Sequence, residues 1–197
     1  MAKLKPVPTR KNSSWLGFLL ALFILLTLVL GYQLWELQRQ ATARVAGPLT
    51  YEVYFSPDGG CTDAIVGALN GAKRRVLVQA YSFTSKPIAA ALVDAKKRGV
   101  EVQAILDKSQ RTEHYSEADF LAHMGIPTYI DAAHAIAHNK IIIIDTDTVI
   151  TGSFNFTRAA EERNAENLLI LHNPDLAAKY AANWQVHLGH SERYMGR

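Results

Sequence analysis

Cysteine is almost absent from this chain. One thiol, Cys61, in 197 residues excludes a disulfide-stapled scaffold and a zinc site built on thiolates. There is no internal repeat, and apolar residues make up 49% of the chain, which excludes a disordered or low-complexity protein. Acidic residues are missing before Glu36, and charged residues of either sign are missing between Ser13 and Trp35. The net charge of +3 is therefore unevenly placed. Residues 1–44 hold six basic side chains against Glu36 alone, whereas the other 153 residues carry 15 basic and 17 acidic side chains and all seven histidines. A slightly acidic body argues against a broadly basic nucleic-acid-binding face.

What fills the charge-free window is apolar. Residues 15–35 run from Trp15 to Trp35 through Leu, Phe, Ile and Val. As a helix they would span roughly 31 Å, the thickness of a bilayer's hydrocarbon core. Trp15 at one end and Tyr32 and Trp35 at the other suit the membrane interface, and Lys3, Lys5, Arg10 and Lys11 precede the run. The positive-inside bias keeps such an N-terminus in the cytoplasm and exports the rest. The expectation is a basic cytoplasmic tail over 1–14, a transmembrane signal anchor over 15–35, a linker over 36–48 and a catalytic domain over 49–197. The protein would then sit in the cytoplasmic (inner) membrane with that domain on the periplasmic or extracytoplasmic side. The competing readings are a signal peptide cleaved after Ala43, at the small-x-small site Ala41-Thr42-Ala43, giving a secreted or periplasmic protein, and a buried core helix.

Residues 49–197 alternate strand-like and helix-like patterns. Strands are expected at Tyr51–Phe55, Arg75–Tyr81, Val100–Asp107, Pro127–Ile130, His138–Asp145, Thr148–Ser153 and Glu166–Leu171. Helices are expected at Thr62–Ala72, from Pro87 to Arg98, at Ser116–Met124 and at Pro174–His187. The alternation predicts an α/β fold, a mixed sheet covered by helices on both faces. Four consecutive isoleucines, Ile141–Ile144, mark a central strand buried on both sides.

The chemistry concentrates in His138-Asn139-Lys140, Asp145 and Gly152-Ser153-Phe154-Asn155. Two-residue spacing puts His138 and Lys140 on one strand face and repeats at Ser153 and Asn155, while Asp145 has the opposite parity. If the two strands are neighbours, imidazole, ammonium, hydroxyl and amide converge on one spot. That set suits a phosphate diester, because cation and amide hold the oxygens while imidazole attacks or shuttles a proton. A lone His-x-Lys would be an ordinary strand end. Six residue types at fixed offsets arise by chance in on the order of one in a million chains.

This pattern resembles the phospholipase D superfamily signature. Tyr81-Ser82-Phe83-Thr84, Ala95–Val100, Gly152–Thr157 and Glu166-Asn167 also look like the small bacterial endonucleases of that superfamily with one motif per chain. The resemblance covers about residues 51–190 and implies a phospholipase D/nuclease-type sheet and a homodimer whose two motifs meet on a two-fold axis. It implies that His138 of one copy attacks phosphorus and that His138 of the other protonates the leaving oxygen and then activates water. Lys140 and Asn155 would bind the non-bridging oxygens with Ser153 in support. Glu166 would hold the imidazole tautomer, and Asp145 and Gly152 would be structural. No metal or other cofactor is expected. The substrate is expected to be nucleic acid, DNA or RNA. The alternatives are a phospholipid cleaved by the same residues, which a membrane tether favours, and a non-catalytic anchored binding module.

Other features receive plainer expectations. His134 and His138 are four apart as in helical metal pairs, but no Glu follows His134 and His138 falls on a strand, so no metal pair is expected. Lys73-Arg74-Arg75 and Lys96-Lys97-Arg98 either touch nucleic acid or close helices, where cations favour the negative dipole end. Cys61 is expected to be a small buried side chain, the alternative being a cross-link between subunits. His114, His123, His172, His187 and His190 are expected at surface or packing positions. Two stretches, 107–116 and the Ala-rich 132–137, are expected to border the cleft.

Overall fold

A computed structural model describes residues 14–42 and 48–197. The chain falls into two units, Met1–Val45 and Ala46–Arg197. The first contains α1 (Ser14–Thr42), in which Gly17–Glu36 has a mean hydropathy of 2.2 and none of its surface buried by protein. It is the one helix among the described residues long and apolar enough to cross a membrane. It continues seven residues beyond Trp35 into the stretch expected to be linker. The basic residues Lys3 to Lys11 and the cleavage site at Ala43 lie outside the described residues.

The second unit contains β1 (Thr50–Ser56), α2 (Cys61–Gly71), β2 (Arg75–Ala80), α3 (Lys86–Lys97), β3 (Glu101–Asp107), α4 (Ala118–His123), β4 (Thr128–Asp131), β5 (Lys140–Ile144), β6 (Thr148–Gly152), α5 (Arg158–Glu162), β7 (Glu166–His172), α6 (Pro174–Leu188) and β8 (Glu192–Tyr194). The strands form one mixed sheet in the order β1-β7-β6-β5-β2-β3-β4-β8. β2, β3 and β4 are parallel, joined through α3 and α4, and the remaining pairs are antiparallel. The expected α/β class with helices on both faces is what folds. A 3₁₀ turn at Lys108–Arg111, the short α5 and the edge strand β8 were not legible, because each is shorter than the periods that reveal an element.

Strand parity separates two cores. Val76, Val78, Val102, Ala104, Leu106, Ile142, Ile144, Ile150, Leu168 and Ile170 face the layer of α2, α3 and α4. Leu77, Ile105, Ile141, Ile143 and Val149 face α6, whose Trp184 is fully buried and donates its indole N–H to the Val78 carbonyl at 2.9 Å. All four isoleucines of β5 are buried, as a strand with cores on both sides requires.

The β5–β6 connection turns at Asp145, which adopts φ 54°. Its carboxylate accepts backbone N–H bonds from Lys73 at 3.1 Å, Arg74 at 2.7 Å and Arg75 at 3.0 Å. Burial pushes this carboxyl upward, but the three N–H donors and the Arg74 charge outweigh it and hold the group below its ordinary value. Asp145 thus clamps the start of β2 to the end of β5.

Candidate active site

Register determines which residues share a rim. Ala80 pairs with Lys140, Gly152 with Leu168 and Asp107 with Asp131, so β2, β3, β4 and β6 end where β5 and β7 begin. Lys140, Gly152 and Glu166 lie at the middle of this rim. Asp145 lies at the far end of β5, with the paired strand starts of the basic triplets.

Lys140 opens β5 on the same face as Ile142 and Ile144 and is buried. Its Nζ donates to the His138 carbonyl at 3.2 Å and stands 5.2 Å from the centre of the Tyr81 ring. Burial pulls the ammonium below its ordinary value, while the Glu166 charge pulls it back up. The His138 ring also packs against Tyr81, 4.6 Å between centroids at 58°, and is open to solvent. His138 is not on the strand, contrary to expectation. Pairing with β2 stops where the Tyr81 N–H donates to the Asn139 carbonyl at 2.7 Å, and beyond that β2 has ended. Imidazole and ammonium are therefore gathered by a shared aromatic ring rather than by strand parity alone.

Gly152 ends β6 at φ 147°, and a Cβ there would fall 2.3 Å from the Asn167 carbonyl oxygen of β7. No side chain fits. Just past it, Ser153 is bound to β7: its N–H donates to the Asn167 carbonyl at 3.1 Å, and its Oγ accepts from the Asn167 N–H at 3.1 Å and side-chain amide at 3.3 Å. With both lone pairs engaged, the hydroxyl proton is the group left to donate. Asn155 borders the open groove, and its Oδ1 is buried with no hydrogen-bond partner among the described residues. Unmet capacity of that kind is open to a ligand or water. Glu166 opens β7, and among the described residues its hydrogen-bond partner is the Asn164 side-chain amide at 3.1 Å, not His138.

The groove has a volume of about 980 Å³ and is bordered by Tyr81, Ser82, Lys86, Tyr115, Asn155 and Arg158, among others. Glu113 to Glu117 form part of its wall, so the 107–116 stretch does border the cleft. Burial raises the Glu117 carboxyl above its ordinary value, partly offset by the Lys86 charge. Lys86 and Arg158 carry no signal in the sequence reading. Tyr81 had one, since it opens the Tyr81-Ser82-Phe83-Thr84 stretch that carries part of the family resemblance.

Two alternatives resolve to the plainer reading, and one expectation needs correction. The basic triplets sit at the opposite end of the sheet, roughly 20 Å away along a six-residue strand. All three backbone N–H groups of Lys73-Arg74-Arg75 bind Asp145, Lys97 pairs with Asp94 at 3.0 Å, and Arg98 donates to the Leu69 carbonyl at the end of α2 at 2.8 Å. They close elements rather than face the groove. Cys61 is fully buried and its thiol is pushed up to about 11, by burial first and then by Glu161, which leaves nothing to cross-link subunits. His187 and His190 are not merely packing residues. They gather with His134 around Asp131, and His138 is no part of that group.

This rim, with its His-x-Lys, Gly-Ser-x-Asn and β7 glutamate, can be set against known proteins. Residues 65–187 match the family model described as cardiolipin synthase, PLD-like domain. The chain belongs to the phospholipase D superfamily. It is 44% identical over 130 residues to a phospholipase D of Rickettsia bellii, covering 66% of this chain and 65% of that one. A mitochondrial cardiolipin hydrolase of Chlamydomonas reinhardtii is 32% identical over 112 residues, 57% of this chain and 50% of its own. The matched region thus spans just under two thirds of the Rickettsia protein. Among solved structures, the phospholipase D family member Nuc of Salmonella typhimurium superposes with a TM-score of 0.72 at 40% identity, covering 75% of this chain and 99% of that one. The phospholipase D signature of this chain is the set that lies at the rim, with Asp145 at the far end of β5.

Proposed function

We propose that the protein is a phosphodiesterase that hydrolyses nucleic-acid phosphodiester bonds through a phosphohistidine, with two copies forming one active site. An imidazole nitrogen of His138 attacks phosphorus, and the P–N bond forms as the bond to the leaving oxygen breaks. His138 of the second copy gives its proton to that oxygen. It then takes a proton from water, whose oxygen attacks phosphorus and releases the first imidazole. Lys140 and Asn155 hold the non-bridging oxygens, Ser153 donates its remaining proton, and Glu166 favours the charged forms nearby. No metal acts at phosphorus in this scheme.

The observation that carries the reading is the Tyr81 ring, which brings the solvent-open His138 and the buried Lys140 together. A nucleic acid is favoured by the groove itself, which combines Lys86 and Arg158 with the exposed ring of Tyr115. Cations beside an aromatic platform suit a phosphate backbone with unstacked bases. The dimer is supported by the apolar strip of β1 and β7. Tyr51 and Phe55 are 64% and 65% exposed there, and in register with Leu171 and Asn167 they lead toward the Ser153 end of the rim. A second copy would cover that strip, and Phe55→Asp should then give monomers in analytical ultracentrifugation and lose activity together.

A second reading keeps the residues and takes a phospholipid. It is favoured by the names of the Rickettsia and Chlamydomonas relatives and by the apolar helix Gly17–Glu36. Release of phosphatidic acid from vesicles, with plasmid left intact, would select it over the first. We also read residues 15–35 as an uncleaved anchor with 1–14 on the cytoplasmic side and the domain from 49 onward outside. Protease protection of the domain in intact spheroplasts would contradict that topology.

A further inference from the structure

Asp131 ends β4 with its side chain fully buried, and three histidines close around it. Its Oδ1 accepts the Ala133 N–H at 3.1 Å, which leaves Oδ2 facing His187 Nδ1 at 2.7 Å, His190 Nε2 at 3.3 Å and His134 Nε2 at 3.8 Å. The three rings stand 5.1 to 5.2 Å apart, with interplanar angles from 53° to 80°, so none stacks on another. All four donor atoms lie within 4.8 Å of one another.

Hydrogen bonding alone accounts poorly for this arrangement. His187 and His190 take the two in-plane lone pairs of Oδ2, and His134 at 3.8 Å faces the same oxygen from outside hydrogen-bond reach. Three imidazoles each turning an N–H to the same oxygen would also crowd their donors together. A cation resolves both difficulties, because each nitrogen then presents its lone pair. In a tetrahedral site with bonds near 2.0–2.1 Å, ligand atoms stand roughly 3.3 Å apart. The three measured separations, 2.7, 3.3 and 3.8 Å, bracket that edge.

The sequence spacing agrees. Asp131 and His134 form one D-x2-H pair, and His187 and His190 form an H-x2-H pair at the end of α6. Ligand pairs with two residues between their members, on separate elements, are the usual build of zinc sites. The surroundings hold the ligands in place: Ala133 orients the carboxylate, Ser191 Oγ donates to the His187 carbonyl at 2.7 Å, and Lys108 donates to the His134 carbonyl at 3.0 Å. His134 is 46% exposed, which gives an ion a way in.

We propose that Asp131, His134, His187 and His190 bind one zinc ion as a structural site separate from the phosphodiester chemistry. Four protein ligands fill a tetrahedron and leave no position for substrate. The ion joins the end of β4, the 132–137 segment and the end of α6. That segment leads directly to His138, with the Ala137 N–H held by the Asp107 carboxylate at 2.6 Å on the way. The site therefore fastens the approach to the catalytic histidine from a position three strands away, roughly 14 Å across the sheet.

The test uses the full chain in detergent, purified without a histidine tag, stripped with chelator and titrated with zinc chloride. One zinc per chain should survive gel filtration by elemental mass spectrometry, and cobalt in its place should give the intense visible bands of a tetrahedral site. His134→Ala, on an exposed segment and expected to fold, and His187→Ala with His190→Ala should each weaken zinc binding by more than about tenfold. Wild-type zinc well below one per chain, or affinity unchanged in the His134→Ala protein, would overturn the proposal.

Discussion

Two groups of side chains occupy the same rim of one sheet, and they differ in how they are assembled. At the centre, His138, Lys140, Ser153 and Asn155 come from 18 consecutive residues folded into a single hairpin. At the side, Asp131 and His134 meet His187 and His190 across more than 50 residues of chain. The central group presents a solvent-open imidazole beside a buried ammonium and an unmet amide. The lateral group converges, its three imidazole nitrogens facing one carboxylate oxygen. Open, unsatisfied groups suit a reacting substrate, whereas closed convergence suits a holding role.

The contrast predicts that variants in the hairpin change rate while variants in the cluster change stability. The largest effect is expected from His138→Ala, a loss of at least about 10⁴-fold in diester hydrolysis with the melting temperature unchanged, since that side chain is exposed. Lys140→Ala should cost about 10²–10³-fold, measured as kcat on a chromogenic diester, because it removes a cation that matters most when charge develops. Activity of Lys140→Ala close to wild type would erase the distinction between the two groups.

Smaller effects should fall on stability. Asp145 sits in the motif but serves the fold, so Asp145→Asn should cost about 2–3 kcal/mol in urea unfolding with kcat little changed. Its folded carboxyl lies below the ordinary value. The stabilisation is then fully present above about pH 4 and lost as pH falls through the lowered folded value. The Asn variant should show a shallower acid limb. Least of all, His134→Ala should lower the melting temperature by a few degrees while leaving the initial rate at low temperature intact. A rate loss at low temperature equal to that of Lys140→Ala would merge the cluster with the active site.

The same contrast explains what the sequence made legible. The motif was readable because its members are close in the chain, and the four isoleucines announced a central strand because both faces of β5 are covered. Strand parity described Lys140 well, but it failed for His138, since β2 ends at Ala80 and nothing extends the ladder past Asn139. The groove cations Lys86 and Arg158 come from separate elements and leave no local pattern. The lateral cluster left a faint one, two x2 pairs. Reading it required knowing that β4 and the end of α6 finish side by side, which only the order of strands decides. The basic triplets take the plainer of their two expected readings: their backbone binds Asp145 or their side chains close helices, at the far end of the sheet.

The central claim is that His138 forms a covalent bond to phosphorus. The direct measurement is reaction with a chromogenic phosphodiester quenched in alkaline denaturant, followed by intact-mass and peptide mass spectrometry under alkaline conditions that preserve phosphohistidine. A phosphoryl adduct on the His138 peptide, absent from His138→Ala and formed at the rate of the first product burst, is the predicted result. Steady turnover with no adduct on His138 at any time, or an adduct on another residue, would contradict it.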